Sequence, residues 1–550
     1  MALRAGDWDE VVDVVVVGSG GGALTAALAA ADGGADVLVI EKDTVIGGTT
    51  GVSGGVLWVP NNAHLVRAGL DDSRQDAVDY LSRIADGREA DPTLIEIFVD
   101  TAREALEYLE SATPLQTQIV TTLPDYYGPI AHRVPGCKLY SRSVEPLPFA
   151  AREALGEQAG RLATRSTLLS LGAVTTLHED LSGSSVPMDE LARREREGVR
   201  VKGAALIACL MKGLVDRGVE IRTSVPAVEL IVDDDRSVVG VLVGAGAERV
   251  RLGARQGVIL GCGGFEWNHD MVVSYLGFDV KPISPGANTG DGHVMAMEVG
   301  AKMGSMTSFW GQGAMFDPAI LGPEGEPAPQ MMMGLGAGSV LVNQLGRRFM
   351  HGGYTYNDFP KPFGAFDQRY PGLPNKPPGW VIFGPGVKKS RDILTMRAGE
   401  PAPEWVPQAE SIAQLAVAIG VDPAALEETV TSYNRFVEAG EDPEWGDPTG
   451  SYVFVGYDTT LAPVDGPPYY ALQQWPATLG TNGGCRINAN AQVLGHRVSI
   501  IPGLYAVGNT SASVVGGAYV GGGTPIASSV TFGYLAGRHA SGQPRRVIGS

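Results

Sequence analysis

Cysteine is scarce. Four residues, Cys137, Cys209, Cys262 and Cys485, lie far apart in a chain of 550. None falls in a CxxC or Cys/His spacing, so neither a zinc site nor a disulfide framework is indicated. Reduced thiols in a cytoplasm are the expectation. Histidine is also sparse, and the eight residues show no HxxxH or HExxH pattern, so no metal site is expected. No apolar run approaches the roughly 20 residues needed to span a bilayer. The N-terminal MALRAGDWDEVVD is acidic and runs straight into a strand, unlike a signal peptide. A cytoplasmic location is the reading, with peripheral membrane contact through an apolar patch left open. Basic residues are outnumbered, 42 Lys and Arg against 61 Asp and Glu, giving a net charge of −19. That balance argues against nucleic acid as a partner, and against an anionic membrane surface held by bulk charge.

Glycine, by contrast, is abundant. The 75 glycines follow no collagen-like period and cluster at strand–helix turns, as in α/β nucleotide-binding folds. Asp13-Val14-Val15-Val16-Val17 reads as a buried parallel strand. Gly18, Ser19, Gly20, Gly21, Gly22 and Ala23 form the turn, a helix of small residues runs on to Ala31, and a second strand from Asp36 to Ile40 ends at Glu41. This is the GxGxxA form of the dinucleotide fingerprint. Its glycines let backbone approach a pyrophosphate at a helix N-terminus, and Glu41 would accept a hydrogen bond from a ribose hydroxyl. After Glu41-Lys42 come Gly47-Gly48-Thr49-Thr50 and Ser53-Gly54-Gly55, a second small-residue segment that a flat ligand can approach. Flavin folds of the glutathione-reductase type commonly have such a segment, and NAD folds do not need it. The alternative is that these glycines are merely loops.

A third contact region closes the chain. Gly503 to Val507 is a short apolar strand ending at Gly508-Asn509. A glycine-rich turn follows, with Tyr519 and Gly523 four residues apart, and Thr524-Pro525-Ile526 opens a helix. Proline in a first turn is a start signal. The N–H groups of that start carry partial positive charge and would stabilise a ring system that gains negative charge on reduction. Nucleotide-contacting regions at both chain ends, around an insertion, point to FAD. The expected division is an FAD-binding domain over 1–279 and 475–550, with a catalytic domain over 280–474. The fold class is α/β: a Rossmann-like FAD domain with an inserted α+β domain.

Residues 64–112 have helical periodicity, as do 203–217 and 412–439. Strands are expected from Val219 through Val243, with a hairpin at Asp233-Asp234-Asp235, and again at Gly257–Leu260. Residues 360–407, rich in Pro and Gly, read mostly as loop. Met303, Met306, Met315, Met331, Met332 and Met333, with Phe309, Trp310 and Phe316, suit either an adaptable apolar cavity or an ordinary core.

Taken together, VVVVGSGGGALTAALAA, EKDTVIGGTTGVSGGVLWVPNN, LPDYYGP, RSVEPLPF, GVILGCGGFEWN, GANTGDG, VLVNQLGRRFM, TLGTNGGCRINANAQVL and IPGLYAVGNTSAS carry a nearly end-to-end resemblance to the 3-ketosteroid Δ1-dehydrogenases, which are flavoenzymes. The most specific feature is the Tyr-x-x-x-Gly of Tyr519 and Gly523, which the broader fumarate-reductase-like group lacks. The resemblance implies a 3-ketosteroid substrate, an electron acceptor of unknown identity, and four roles. Tyr519 donates to the C3 carbonyl and Gly523 offers the backbone N–H beside it. Tyr356 removes the C2 proton, and Tyr126 assists it. The chain departs from the family pattern at His351-Gly352, where Asn-Glu is usual. It departs again at Asn482, where Lys is common, and after Phe383, where Gly384-Pro385 replaces an Asp-x-Arg run. The first departure lies close to Tyr356 and makes Tyr354 the alternative base.

The chemistry is consistent with those roles. A 1,2 double bond beside a ketone requires loss of a C2 proton and a C1 hydride. Two donors on the C3 oxygen stabilise the enolate-like charge, worth on the order of 3 kcal/mol for one such donor. A phenol, with an ordinary pKa of about 10, is a poor base unless a neighbour stabilises its anion, which a second tyrosine can do. Two rivals share the architecture: a Δ4-(5α) ketosteroid dehydrogenase and a fumarate-reductase-like enoate reductase. A non-catalytic flavin-binding protein is the alternative outside enzymes.

Overall fold

The computed structural model describes residues 3–4, 6–70, 72–87, 89–127, 141–163, 174–182, 186–246, 248–322, 325–350, 355–370, 372–444, 462–497 and 499–548. Tyr354, His351-Gly352 and Cys137 lie outside the described residues. The chain divides into two compact units. The first comprises Met1–Met271, Ser284–Phe309 and Gly480–Ser550, the second Val272–Ile283 and Trp310–Leu479. Sequence reading placed 280–309 with the middle domain. In the structure most of that stretch belongs to the first unit, where Asn288 bonds to Thr49 and Thr289 and Asp291 bond to Lys42.

Among the described residues, the first unit is built on a sheet of nine strands. Its parallel core sets Ile500–Ala506, the end of Glu248–Leu260, Glu10–Val17, Val37–Ile40 and Glu220–Arg222 side by side. The C-terminal parts of the central strands, Val14–Val17, Val37–Ile40 and Val258–Leu260, are unbroken Val/Leu/Ile runs because both faces are covered: Val14, Val15, Val16, Val39 and Ile40 are fully buried. The strand Glu248–Leu260 changes partner along its length. Its first half pairs antiparallel with Val238–Ala245, and its second half runs parallel to Ile500–Ala506. The hairpin expected at the three aspartates joins Ala227–Val232 to Val238–Ala245.

Two helices lie against each other backbone to backbone on this sheet. Gly21–Asp32 follows the strand Glu10–Val17, and Thr524–Ser541 follows the strand Ile500–Ala506 and a glycine-rich turn. A Cβ at Gly22 would come within 2.8 Å of the Ser529 carbonyl, and one at Gly533 or Gly537 would collide with the carbonyls of Gly22 and Ala26. Small residues at this crossing let the two N-termini converge. Gly533→Ala is therefore expected to cost about 1–3 kcal/mol by overpacking. It should also lower the flavin-to-protein absorbance ratio after gel filtration, because it pushes the two N-termini apart. A ratio and a melting temperature equal to wild type would contradict that account.

In the second unit a seven-stranded sheet has the backbone order Pro327–Met331, Phe309–Leu321, Tyr469–Thr481, Gly379–Phe383, Ser339–Val342. Most of the described residues in 360–407 are loop, as expected, but Gly379–Phe383 is a strand within them. Its Val381, Ile382 and Phe383 are fully buried between Ser339–Val342 and Tyr469–Thr481. The helical stretch 412–439 is two helices, Ile412–Ile419 and Pro423–Ala439, parted by a left-handed Gly420 and the cap Asp422. Met315, Met333, Met350 and Met396 pack in one core cluster with Phe349, Phe359 and Phe363. For Met315 and Met333 the core reading holds.

Candidate active site

The turn after the first strand has the form a pyrophosphate needs. Gly18 has φ +106°, and a Cβ there would collide with the Gly261 carbonyl. At Gly20 the reverse holds: a Cβ would meet no protein atom within 4 Å, so protein packing does not demand this glycine and space is left in front of the helix. That helix start has no side-chain cap and no acid in its first turn, and the same is true of Thr524–Ser541. The helices starting at Ala63, Arg74, Pro92, Ile412 and Pro423 are each closed instead by a side chain: Asn62, Ser73, Asp91, Ser411 and Asp422. Two uncapped helix starts, free of negative charge, fit the anionic groups of FAD.

The other cofactor candidates cluster around this turn. The Ser19 hydroxyl donates to Glu41 at 2.6 Å and accepts from the Gly47 N–H at 3.0 Å. Burial raises the Glu41 pKa, and hydrogen bonds from the Asp43 N–H and Ser19 oppose that rise. Ala23 is buried in the first turn of its helix. Gly48 opens the short helix Gly48–Gly51; from that helix Thr50 accepts from the Gly21 N–H at 3.2 Å, and Thr49 accepts from Asn288 at 2.9 Å. Ser53 donates to the Thr50 carbonyl at 2.8 Å and receives the Gly55 N–H at 3.0 Å, across a half-buried Gly54. Gly508 has φ +63° and begins a 3-10 turn with Asn509. Pro525 and Ile526 are half-buried in the first turn of the last helix.

Lys42 donates to Thr289 at 2.6 Å and pairs with Asp291 at 2.7 Å. The GANTGDG run that carries Thr289 and Asp291 is visible in the sequence, but nothing local to it points to Lys42 as their partner. Asn288 also donates to the buried Glu266 at 2.8 Å. Glu266 further accepts from Ser284 at 2.6 Å and from the Thr481 N–H at 3.0 Å. Burial raises its pKa, opposed by these donors. No single motif contains this group. The signal was the Asn-Thr-Gly-Asp run itself, polar side chains in a glycine-rich turn ahead of a helix.

Near the last helix the structure brings three of the four catalytic candidates together. Tyr519 and Tyr126 are both buried and stack with ring centroids 5.8 Å apart and planes inclined at 22°. Gly523 is left-handed, φ +89°, and a Cβ there would collide with the Val56 carbonyl, so only glycine fits. Among the described residues its N–H donates to no protein acceptor. A Cβ on neighbouring Gly522 would lie 3.2 Å from the Tyr126 hydroxyl oxygen, so that hydroxyl sits close beside the turn.

Much of the support for this turn is polar and deeply buried. The Val520 carbonyl accepts from the Tyr126 N–H at 3.0 Å and from the Tyr80 hydroxyl at 2.6 Å, and the Gly522 carbonyl accepts from Ser143 at 2.8 Å. Trp58 donates its indole N–H to Asp125 at 2.7 Å. The other Asp125 oxygen pairs with Arg142, which is fully buried and forks onto Asp72 at 2.7 and 3.0 Å. Arg142 also lies 5.5 Å from the centre of the Trp58 ring and 5.7 Å from that of Tyr80. Burial pulls the Arg142 pKa down, and the Asp125 charge and the Asp72 hydrogen bonds more than reverse it.

Tyr356 belongs to the second unit. It is partly buried against the methionine–phenylalanine cluster, next to Asn357, whose side-chain oxygen accepts the Gly311 N–H at 3.0 Å. Among the described residues no group of three His, Cys, Asp or Glu side chains could hold a metal ion, and no helix is long and apolar enough to cross a membrane.

A doubly contacted nucleotide cradle beside a buried pair of phenols defines an FAD-dependent oxidoreductase. The profile of the FAD binding domain family matches residues 13–526. The chain is 33% identical over 576 residues to a 3-oxosteroid 1-dehydrogenase of Mycobacterium tuberculosis, covering 96% of this chain and 98% of that protein. It is 32% identical to a 4-oxocyclohexanecarboxylate 2-dehydrogenase of Sinomonas cyclohexanicum, covering 96% and 93%. The crystal structure of 3-ketosteroid Δ1-dehydrogenase from Sterolibacterium denitrificans in complex with 1,4-androstadiene-3,17-dione superposes with a TM-score of 0.84, at 30% identity, over 97% of this chain and 99% of that one. The chain belongs to the 3-ketosteroid Δ1-dehydrogenase family of FAD-binding dehydrogenases.

Proposed function

We propose that this protein desaturates the A ring of a 3-ketosteroid between C1 and C2. The observation that carries this reading is the stacked Tyr519–Tyr126 pair beside the Gly523 N–H, at the start of an uncapped helix. Tyr519 and the Gly523 N–H each donate to the C3 oxygen and hold the negative charge that develops there. The phenolate form of Tyr356 takes the C2 proton. Tyr126 is assigned the assisting role, since a hydrogen-bond donor lowers the cost of a phenolate. When bound, FAD supplies the acceptor for the hydride leaving C1, so one proton and one hydride are lost and one C=C bond forms. Gly18, Ser19, Gly20, Gly22, Glu41, Gly508 and Asn509, with the segment from Gly47 to Gly54, hold the dinucleotide.

The relative that acts on 4-oxocyclohexanecarboxylate favours a second substrate reading, because the same loss of proton and hydride beside a ring ketone serves a single six-membered ring. Anaerobic flavin bleaching over a small panel separates the two. Androst-4-ene-3,17-dione and 5α-androstane-3,17-dione are expected to bleach the flavin, with 1,2-unsaturated products once an artificial acceptor is added. 4-Oxocyclohexanecarboxylate and succinate are expected to leave it yellow. Bleaching by the monocyclic keto acid alone would move the substrate class, and a 4,5-unsaturated product from the saturated steroid would make the protein a Δ4 enzyme.

A further inference from the structure

Tyr80 lies on the helix Arg74–Ala85, far in sequence from both candidate phenols. Its side chain is fully buried. Its hydroxyl donates to the Val520 carbonyl at 2.6 Å and accepts the Tyr127 N–H at 3.2 Å. Val520 follows Tyr519, and Tyr127 follows Tyr126. The Tyr126 N–H reaches the same Val520 carbonyl at 3.0 Å. One hydroxyl thus closes a small ring of hydrogen bonds joining the backbones that carry the two stacked phenols. We propose that Tyr80 is a positioning residue for this reaction, setting the separation and tilt of Tyr519 and Tyr126 through that ring. Burial first, and then the charge of Asp125, raise its hydroxyl well above the ordinary phenol range. The group therefore stays a donor at any pH at which the enzyme works.

The proposal rests on the desaturase reading, and the test separates the two. Tyr80→Phe keeps the ring over Arg142 and removes one oxygen. The rate constant of anaerobic flavin reduction at saturating androst-4-ene-3,17-dione is measured per bound flavin, so a loss of folded or loaded protein does not count. It is expected to fall about 10- to 100-fold, the scale set by small misplacements of reacting groups. The half-saturating steroid concentration should not rise in step. Tyr80→Phe combined with Tyr126→Phe should lose less than the product of the two single losses, because one acts through the other. An unchanged reduction rate in Tyr80→Phe, or single losses that multiply in the double variant, would overturn the proposal and leave the desaturase reading intact. A wild-type protein that no ketone bleaches would overturn that reading, and the proposal with it.

Discussion

Tyr519→Phe should bleach its flavin about 10²- to 10³-fold more slowly than wild type under anaerobic conditions, the usual loss for one donor to a developing oxyanion. The substitution leaves the ring that stacks on Tyr126 at 5.8 Å, so the flavin spectrum and the melting temperature should be unchanged. The half-saturating ketone concentration should move little, because a neutral carbonyl gains less from a donor than an enolate-like oxygen does. The residual rate would come from the Gly523 N–H, the second donor on the same oxygen. A phenylalanine variant that reduces at the wild-type rate would show that the phenol is there for packing, and the ketone clamp would have to be sought elsewhere.

The second large effect should be on stability. Arg142 is fully buried, and Asp72 and Asp125 are almost as deep, each with a side chain 1% exposed. Arg142→Met removes the guanidinium that pairs with both buried carboxylates, Asp72 and Asp125. Breaking a buried ion pair from one side costs about 3–5 kcal/mol, most of it the penalty of leaving charge uncompensated. Thermal unfolding of purified holoenzyme should show a correspondingly large drop in melting temperature. The triple variant Arg142→Met with Asp72→Asn and Asp125→Asn should recover much of it, since an uncharged set carries no such penalty. A single variant that melts with the wild type would mean the cluster is far better hydrated than its burial indicates.

The parts of the site that sequence revealed are those whose reasons are local. A strand of four consecutive valines, a glycine turn, a helix and an acid fall within about thirty residues, and each constrains the next. Tyr519, Gly523 and the Thr524-Pro525 helix start are similarly compact. What sequence did not reveal is the support. Arg142, Asp125, Trp58, Tyr80 and Ser143 find their partners across long separations, up to 440 residues for Tyr80 and Val520. In sequence Arg142 looks like any surface arginine, and Tyr80 like one more apolar position in an amphipathic helix. The strand Gly379–Phe383 was hidden for a different reason. Prolines and glycines on both sides announce a loop, and five residues are too few to show a period against them. Lys42 was read as a cofactor contact from its place after Glu41, and its pairing with Asp291 spans 249 residues.

The close crossing of Gly21–Asp32 with Thr524–Ser541 has a consequence for biosynthesis. The helix Gly21–Asp32 leaves the ribosome about 490 residues before its partner Thr524–Ser541 does. At about 5–20 residues per second, synthesis of the intervening stretch takes roughly 25–100 s. Throughout that interval the nascent N-terminal region has its fingerprint turn but lacks the strand Ile500–Ala506 and the final helix. A chain cut between Ala506 and Thr524 keeps the fingerprint turn but loses the helix it packs against, and is expected to purify without flavin absorbance.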